Sequence, residues 1–171
     1  MSKGEIESET GRLELRRFSA GDAPGFFSLN KDPEVIRYTG DVSFADENEA
    51  RDFILGYNHY SEYGYGRWSV FIKETDEYVG FCGLKYSPEK DEVDLGFRVL
   101  RAHWGKGFAT EAGRESLRLG FERYGLKKIV GRAMSSNLAS HRVLEKLNMV
   151  ETSQFEENGH AWIQYEIDEH C

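Results

Sequence analysis

Gly105-Lys106-Gly107 follows an apolar run and leads straight into Phe108-Ala109-Thr110-Glu111-Ala112, which reads as the start of a helix. Glycine lets the backbone approach a ligand closely and adopt φ values that other residues avoid. A helix N-terminus adds free N–H groups and roughly half a positive charge. A loop of this kind suits the capture of a phosphate-bearing ligand, although two glycines alone also fit an ordinary strand-to-helix turn. A P-loop needs Gly-x4-Gly-Lys-Ser/Thr, and here the lysine stands between the glycines. The dinucleotide fingerprint needs a third glycine where Thr110 stands. Upstream, strand alternation places Glu92 and Asp94 on one face, as candidate proton acceptors or as a solvated surface. Downstream, Asn137 precedes a short helix as a favoured N-cap, with Ser140 in its first turn.

The elements that must position these residues alternate between strands and short helices. Leu13–Phe18 alternates apolar and polar and predicts a first strand. Asp22–Leu29 predicts a short helix with Asp22 as N-cap and Pro24 in its first turn, and Glu34–Tyr38 a further helical piece. Ala50, Phe53, Ile54 and Tyr57 give helical spacing within Asp46–Tyr63. Arg67–Lys73 and Glu77–Tyr86 predict a hairpin, and Glu92–Leu100 the strand that ends at the glycine loop. A helix from Gly107 to about Tyr124 has Ala112, Gly113, Leu117 and Gly120 on one face, small enough to lie close on a sheet. Lys128–Met134, a helix at Ser140–Leu147, and Val150–Glu156 with Ala161–Asp168 complete the chain. Asn158-Gly159 between the last two strands favours a type I′ turn.

With 171 residues, 39% hydrophobic and 30% charged, the chain fits one globular domain spanning 1–171, with about the first ten residues as a loose N-terminal segment. Cys82 and Cys171 cannot form a disulfide framework or a zinc site by themselves. Cys82 reads as a small buried hydrophobe and Cys171 as an exposed terminus. The five histidines show no ligand spacing, so no metal is expected. The N-terminus lacks a signal-peptide core and no run is long enough to cross a membrane, which reads as a cytoplasmic protein without membrane partners. A net charge of -8 disfavours nucleic acid and favours a cationic substrate at long range.

Trp104-Gly105-Lys106-Gly107-Phe108-Ala109 resembles motif A of the GNAT superfamily of acetyl-CoA-dependent N-acetyltransferases, Gln/Arg-x-x-Gly-x-Gly/Ala, with Trp104 in place of the first residue. The longer run to Ala112 is similar to the branch of ribosomal-protein N-terminal acetyltransferases and their relatives. Gly11–Arg16, Asp32–Tyr38, Gly64–Val70 and Val79–Leu84 resemble successive segments of that branch. Asn137–Ser140 with Val143–Leu147 resembles motif B, where Asn148-Met149 replaces the usual Gly-Phe. The resemblance implies an α+β GNAT fold: a mixed, mostly antiparallel sheet, flanked by helices and splayed between its fourth and fifth strands. It also implies acetyl-CoA as co-substrate. Backbone groups of Phe97, Arg98 and Val99 would meet the pantetheine arm, Gly105, Lys106, Gly107, Phe108, Ala109 and Thr110 the pyrophosphate, and Asn137 the arm again. Leu144 stands where many members have a tyrosine acid, so Ser140 becomes the candidate donor to the departing thiolate.

The acceptor is then an amine, with the early helices and the hairpin beginning near Trp68 as its pocket, and Tyr38 and Trp68 as candidate contacts. An α-amino group with pKa about 8 is neutral to roughly a tenth at pH 7, whereas a lysine of pKa about 10.4 is neutral in fewer than about one molecule in a thousand. A protein N-terminus therefore needs only a weak base. A small amine (polyamine, amino acid or antibiotic) and a silent acyl-CoA-binding module are the alternatives. Association into a homodimer is left open by the sequence.

Overall fold

The computed structural model describes residues 3–169, so Cys171 lies outside the described residues. Eight strands form one sheet in the order β1-β2-β3-β4-β5-β6-β8-β7. β1 (Ile6–Glu9) and β2 (Leu13–Arg16) lead to β3 (Arg67–Ile72), β4 (Tyr78–Ser87) and β5 (Glu92–Val99), and all neighbouring pairs among them are antiparallel. β6 (Lys128–Met134) joins β5 in parallel, and the hairpin of β7 (Val150–Glu157) and β8 (His160–Asp168) completes the far edge. Asn158 and Gly159 turn that hairpin with φ of 52° and 79°, as a type I′ turn requires.

β1 corrects the expectation of a loose N-terminus. Its sequence, Ile-Glu-Ser-Glu, carries little strand pattern, and tertiary ties hold it. Ser8 donates to Glu115, and Arg123 Nη1 donates to the Glu7 carbonyl at 3.0 Å. The fourth and fifth strands expected from the sequence are thus β5 and β6.

Helices α1 (Ala23–Lys31), α2 (Pro33–Ile36), α3 (Glu47–Leu55) and α4 (His59–Tyr63) fill the connection between β2 and β3. A single helix over Asp46–Tyr63 is not formed. Asp46 caps its start by accepting from Glu49 N–H at 2.9 Å, but Gly56 ends α3 and a second short turn begins after Asn58. Asp22 stands at the N-cap position of α1 as expected, but its side chain makes no capping bond to that helix. It closes a 3-10 turn by accepting from Ser19 N–H at 3.0 Å, and it also receives Ser69 Oγ at 2.7 Å. Helix α5 (Phe108–Arg118) ends in a π-wound turn over Leu119–Arg123, and α6 spans Leu138–Lys146.

The sheet separates two apolar clusters. One holds Ala23, Phe26, Leu29, Ala50 and Ile54 with Phe18 and Phe81 against them. The other holds Trp68, Cys82, Val93, Leu95, Phe108, Ala112 and Leu144. Phe81 and Cys82 are neighbours in β4, so these clusters lie on opposite faces. Gly113 and Gly131 allow the close packing of α5 and α6 on the second face. A Cβ on Gly113 would meet Leu147 Cδ1 at 2.9 Å, and one on Gly131 would meet Leu144 Cδ2 at 2.9 Å.

Candidate active site

β5 and β6 stay together for only two residue pairs, Asp94↔Val130 and Leu95↔Gly131. Beyond them the strands part, so Gly96–Val99 has a partner on the β4 side alone. Leu100 N–H donates to Val79 O at 2.8 Å, which turns the Val99 carbonyl to the opposite edge. There it accepts the indole N–H of Trp104 at 2.7 Å. By alternation, the backbone groups of Phe97 and Val99 face the gap between the strands. Those of Arg98 face β4, and its side chain projects on the opposite face from Phe97. Arg98 therefore departs from the expectation that its backbone serves the gap.

The glycine loop closes one end of this gap. Gly105 and Gly107 take φ of 75° and 79°, where an L-residue is strained. The first bond of α5 runs from Glu111 N–H to Gly107 O at 3.0 Å, so the N–H groups of Phe108, Ala109 and Thr110 open outward. Phe108 anchors the turn as a buried side chain, with the Arg12 guanidinium over its ring at 4.5 Å. Lys106 is exposed on the loop. Open amides at a helix start, beside a strand edge with free polar groups, fit a ligand carrying both phosphates and an amide-bearing arm.

Glu111 ties this turn to the start of β2. Its carboxylate accepts Thr10 Oγ1 at 2.5 Å, Arg12 N–H at 2.9 Å and Arg12 Nε at 2.8 Å. Partial burial pushes the Glu111 carboxyl up, but these donors more than offset it and hold the group below the usual carboxylate range. Complementing the helix terminus is thus only part of its role.

At the other wall of the gap, Asn137 caps α6. Its Oδ1 accepts Ser140 N–H at 3.3 Å and its Nδ2 donates to Ser140 Oγ at 2.9 Å. The Ser140 oxygen therefore acts as an acceptor toward Asn137, and its own proton is directed elsewhere. His141 fixes this turn to the end of β6: Nε2 donates to Met134 O at 2.9 Å, and Nδ1 accepts from Tyr165 O–H at 2.9 Å. Leu144 is buried in the core and bears no polar group.

A cleft of about 1030 Å³ opens on the α1–α3 side of the sheet, and Asp94, Phe97, Arg98, Asn137 and Ser140 all line it. Tyr38 lines it too. Trp68 does not: it is 0% exposed, and the register sets it beside Cys82 on the α5 face. An aromatic at the start of a strand gives no sign of which face it takes until the neighbouring strands are known. Cys82 is buried as expected, and burial pushes its thiol up to about 11, so it offers no thiolate.

Both strand carboxylates are held by arginines. Arg67 Nη2 donates to Asp94 Oδ1 at 2.6 Å, while its Nη1 donates to the carbonyls of Asp94 and Gly83, each at 2.9 Å. Gly96 makes room for this guanidinium, since a Cβ there would meet Arg67 Nη2 at 2.5 Å. Glu92 pairs with Arg132, and Glu92 itself stands outside the cleft lining. The same-face reading of Glu92 and Asp94 needed these two partners, which come from β3 and β6. Arg98 is expected from the sequence only for its backbone groups, and its side-chain contacts with Asn30 and Asp41 are not legible there.

The cleft charges nearly balance. Arg67, Lys85, Lys90, Arg98 and Arg132 face Asp41, Asp52, Asp94 and Glu157. The wall opposite the sheet is aromatic, with Phe26, Phe44 and Phe53 in mutual ring contact at 5.4–6.0 Å. Among the described residues no cluster of His, Cys, Asp and Glu could hold a metal ion, and no helix is long and apolar enough to cross a membrane.

Residues 12–150 match the model of the acetyltransferase (GNAT) domain. The chain is 36% identical over 141 residues to the uncharacterized N-acetyltransferase p20 of Bacillus licheniformis, covering 81% of this chain and 79% of that one. Its fold is similar to that of RimL, a ribosomal L7/L12 α-N-protein acetyltransferase solved with coenzyme A, at a TM-score of 0.81 and 18% identity over 96% of this chain and 98% of that one. It is similar in the same way to the spermidine N-acetyltransferase of Vibrio cholerae solved with CoA and spermine, at a TM-score of 0.80 and 20% identity over 94% and 98%.

Proposed function

The chain belongs to the acetyltransferase (GNAT) family and is an acetyl-CoA-dependent N-acetyltransferase; from that premise we propose that its acceptor is an α-amino group, that of a protein or peptide N-terminus. The observation that carries this reading is the pairing of Asp94 with Arg67 and of Glu92 with Arg132. A carboxylate oxygen held by a guanidinium is already occupied as an acceptor, so it must give up that partner before it can take an amine's proton. Such a site suits an amine that is partly neutral at pH 7, and an α-amino group is one. A lysine or polyamine nitrogen demands a stronger base.

When bound, acetyl-CoA supplies the acetyl thioester: the amine nitrogen forms the C–N bond as the C–S bond breaks. The residues of the chain hold, orient and move protons around that exchange. Phe97 and Val99 offer backbone groups to the pantetheine arm, and the amides of Gly105 to Thr110 hold the pyrophosphate with Lys106 beside them. Asn137 Nδ2 donates to the Ser140 oxygen, which would leave the hydroxyl proton available to the departing sulfur. The proton lost by the nitrogen passes to water in the open cleft, water returns one to the Ser140 oxygen, and Asp94 orients Arg67 next to the acceptor. The products are an N-acetylated amine and free CoA thiol, so atoms and charge balance.

The cleft also argues against a polyamine. Five cations and four carboxylates line it, so the overall negative charge of the chain is not concentrated where an acceptor would sit. Ser140 in the cleft likewise favours turnover over silent binding. Following thiol release with unblocked peptides, N-blocked lysine peptides and polyamines tests this. Turnover of the unblocked peptides is expected, and turnover confined to lysine or polyamine nitrogen would overturn the α-amino reading.

A further inference from the structure

Arg98 is a cleft cation that the reaction as described leaves unused. It rises from β5 directly beside the gap, its side chain is 16% exposed, and its guanidinium lies 5.2 Å above the Phe81 ring. Two partners hold it, and they differ in kind. Asn30 is buried in α1, and its Nδ2 donates to Phe26 O at 2.8 Å. That bond fixes the amide so that Oδ1 faces Arg98, from which it accepts. Asp41 accepts Arg98 Nη2 at 2.7 Å from a segment without helix or strand, and its side chain is 58% exposed. The first partner is part of the scaffold. The second is a surface carboxylate whose ion pair is half in water and worth little.

We infer that Arg98 is a specificity-determining residue that reads a carboxylate on the acceptor, close to its α-amine, and that Asp41 occupies that position when no acceptor is bound. This rests on the α-amino reading above. Several features agree. Guanidinium is the side chain best shaped for a carboxylate, and Asn30 together with the Phe81 face presets its plane. Asp41 loses little on release, because water takes over its hydrogen bond. Arg98 lines a cleft whose other wall, Phe44 and Phe53, suits an apolar body. Either source of carboxylate satisfies the geometry: the α-carboxylate of a free amino acid, or the side chain of an acidic first residue in a peptide.

The test compares matched acceptors on the full chain: amino acids against their carboxamides, and peptides beginning with Asp or Glu against those beginning with Asn or Gln. The carboxylate member of one series should exceed its neutral partner in kcat/KM by about ten- to a hundredfold, the range of a charge-assisted hydrogen bond. The series that shows it identifies the source. Arg98→Gln should bring that ratio to about one, with acetyl-CoA affinity and melting temperature checked alongside. Asp41→Ala is the independent variant, and it should lower KM for the carboxylate acceptor or leave it unchanged. A wild-type ratio near one in both series would overturn the inference alone. So would an equal loss on both members in Arg98→Gln, or a raised KM for the carboxylate acceptor in Asp41→Ala. Turnover of other amines with none of any α-amine would overturn the underlying reading as well.

Discussion

The indole N–H of Trp104 donates to the carbonyl of Val99 at 2.7 Å across the open edge of β5. Trp104 stands where the family motif has Gln or Arg, and its ring is half-exposed. The bond satisfies a strand carbonyl that β6 has left behind by splaying away. A pantetheine arm laid along that edge needs the same carbonyl, so the indole competes with it. Trp104→Phe should therefore tighten acetyl-CoA binding by up to about fivefold, the value of one hydrogen bond near 1 kcal/mol. Titration calorimetry reads this directly, and weaker binding in Trp104→Phe would make the indole a ligand contact instead of a competitor.

Ser140 carries the second prediction. Asn137 Nδ2 donates to Ser140 Oγ, which leaves the hydroxyl proton for another acceptor. Ser140→Ala should lower kcat by about a hundredfold, the low end for loss of a general acid, because a thiolate is already a fair leaving group. Acetyl-CoA affinity should hold, since the cap through Asn137 Oδ1 needs only the backbone N–H at position 140. A loss confined to acetyl-CoA binding would reduce Ser140 to a capping residue.

Asp94 separates orientation from base catalysis. Its carboxylate is bonded to Arg67, so Asp94→Asn should cost less than about tenfold in kcat/KM, where loss of a general base costs about a hundredfold or more. For a peptide acceptor, kcat/KM should rise with pH and level off near the α-amino pKa of about 8 in both proteins. Flattening of that limb in Asp94→Asn would return the proton-accepting role to the carboxylate.

Glu111 links pH to stability. Its folded-state pKa is depressed, so its contribution is present above the unfolded value of about 4.3 and is lost as pH falls through the lower folded value. Glu111→Ala should cost about 2 kcal/mol at pH 7 through its bonds to Thr10 and Arg12. The gap between thermal melts of the two proteins should begin to close as pH falls below about 4.3 and keep narrowing through the depressed folded value. A gap independent of pH would mean that packing, and not the ionised carboxylate, makes the difference.

What could be read from the sequence was local chemistry in repeating patterns. β6 was legible from Lys128 to Met134, the Asn158-Gly159 turn from its residue types, and the glycine loop from its spacing. Long-range partners were not legible. Nothing in Ile6–Glu9 announces a strand, because Arg123 and the α5 carboxylate of Glu115 hold it. Trp68 looked like a pocket residue until its register beside Cys82 set it on the buried face. The arginines that claim Asp94 and Glu92 arrive from strands 27 and 40 positions away.

Two glycines in and beside the site should fail in different ways. Gly107 has φ of 79°, and a Cβ there would meet nothing closer than Arg12 Nη2 at 3.5 Å, an ordinary contact. Its requirement is therefore conformational: an alanine in that region costs about 1–2 kcal/mol, which the loop relieves by turning its amides away from the ligand. Gly107→Ala should raise KM for acetyl-CoA about tenfold and leave KM for the acceptor unchanged. Gly96 has no such backbone demand, and its Cβ would strike the Arg67 guanidinium at 2.5 Å. Gly96→Ala should push Arg67 off Asp94 and raise KM for the acceptor, with acetyl-CoA affinity kept. Steady-state kinetics with each substrate varied in turn distinguishes the two, and a shared effect on both KM values would show that loop and cleft do not act as separate subsites.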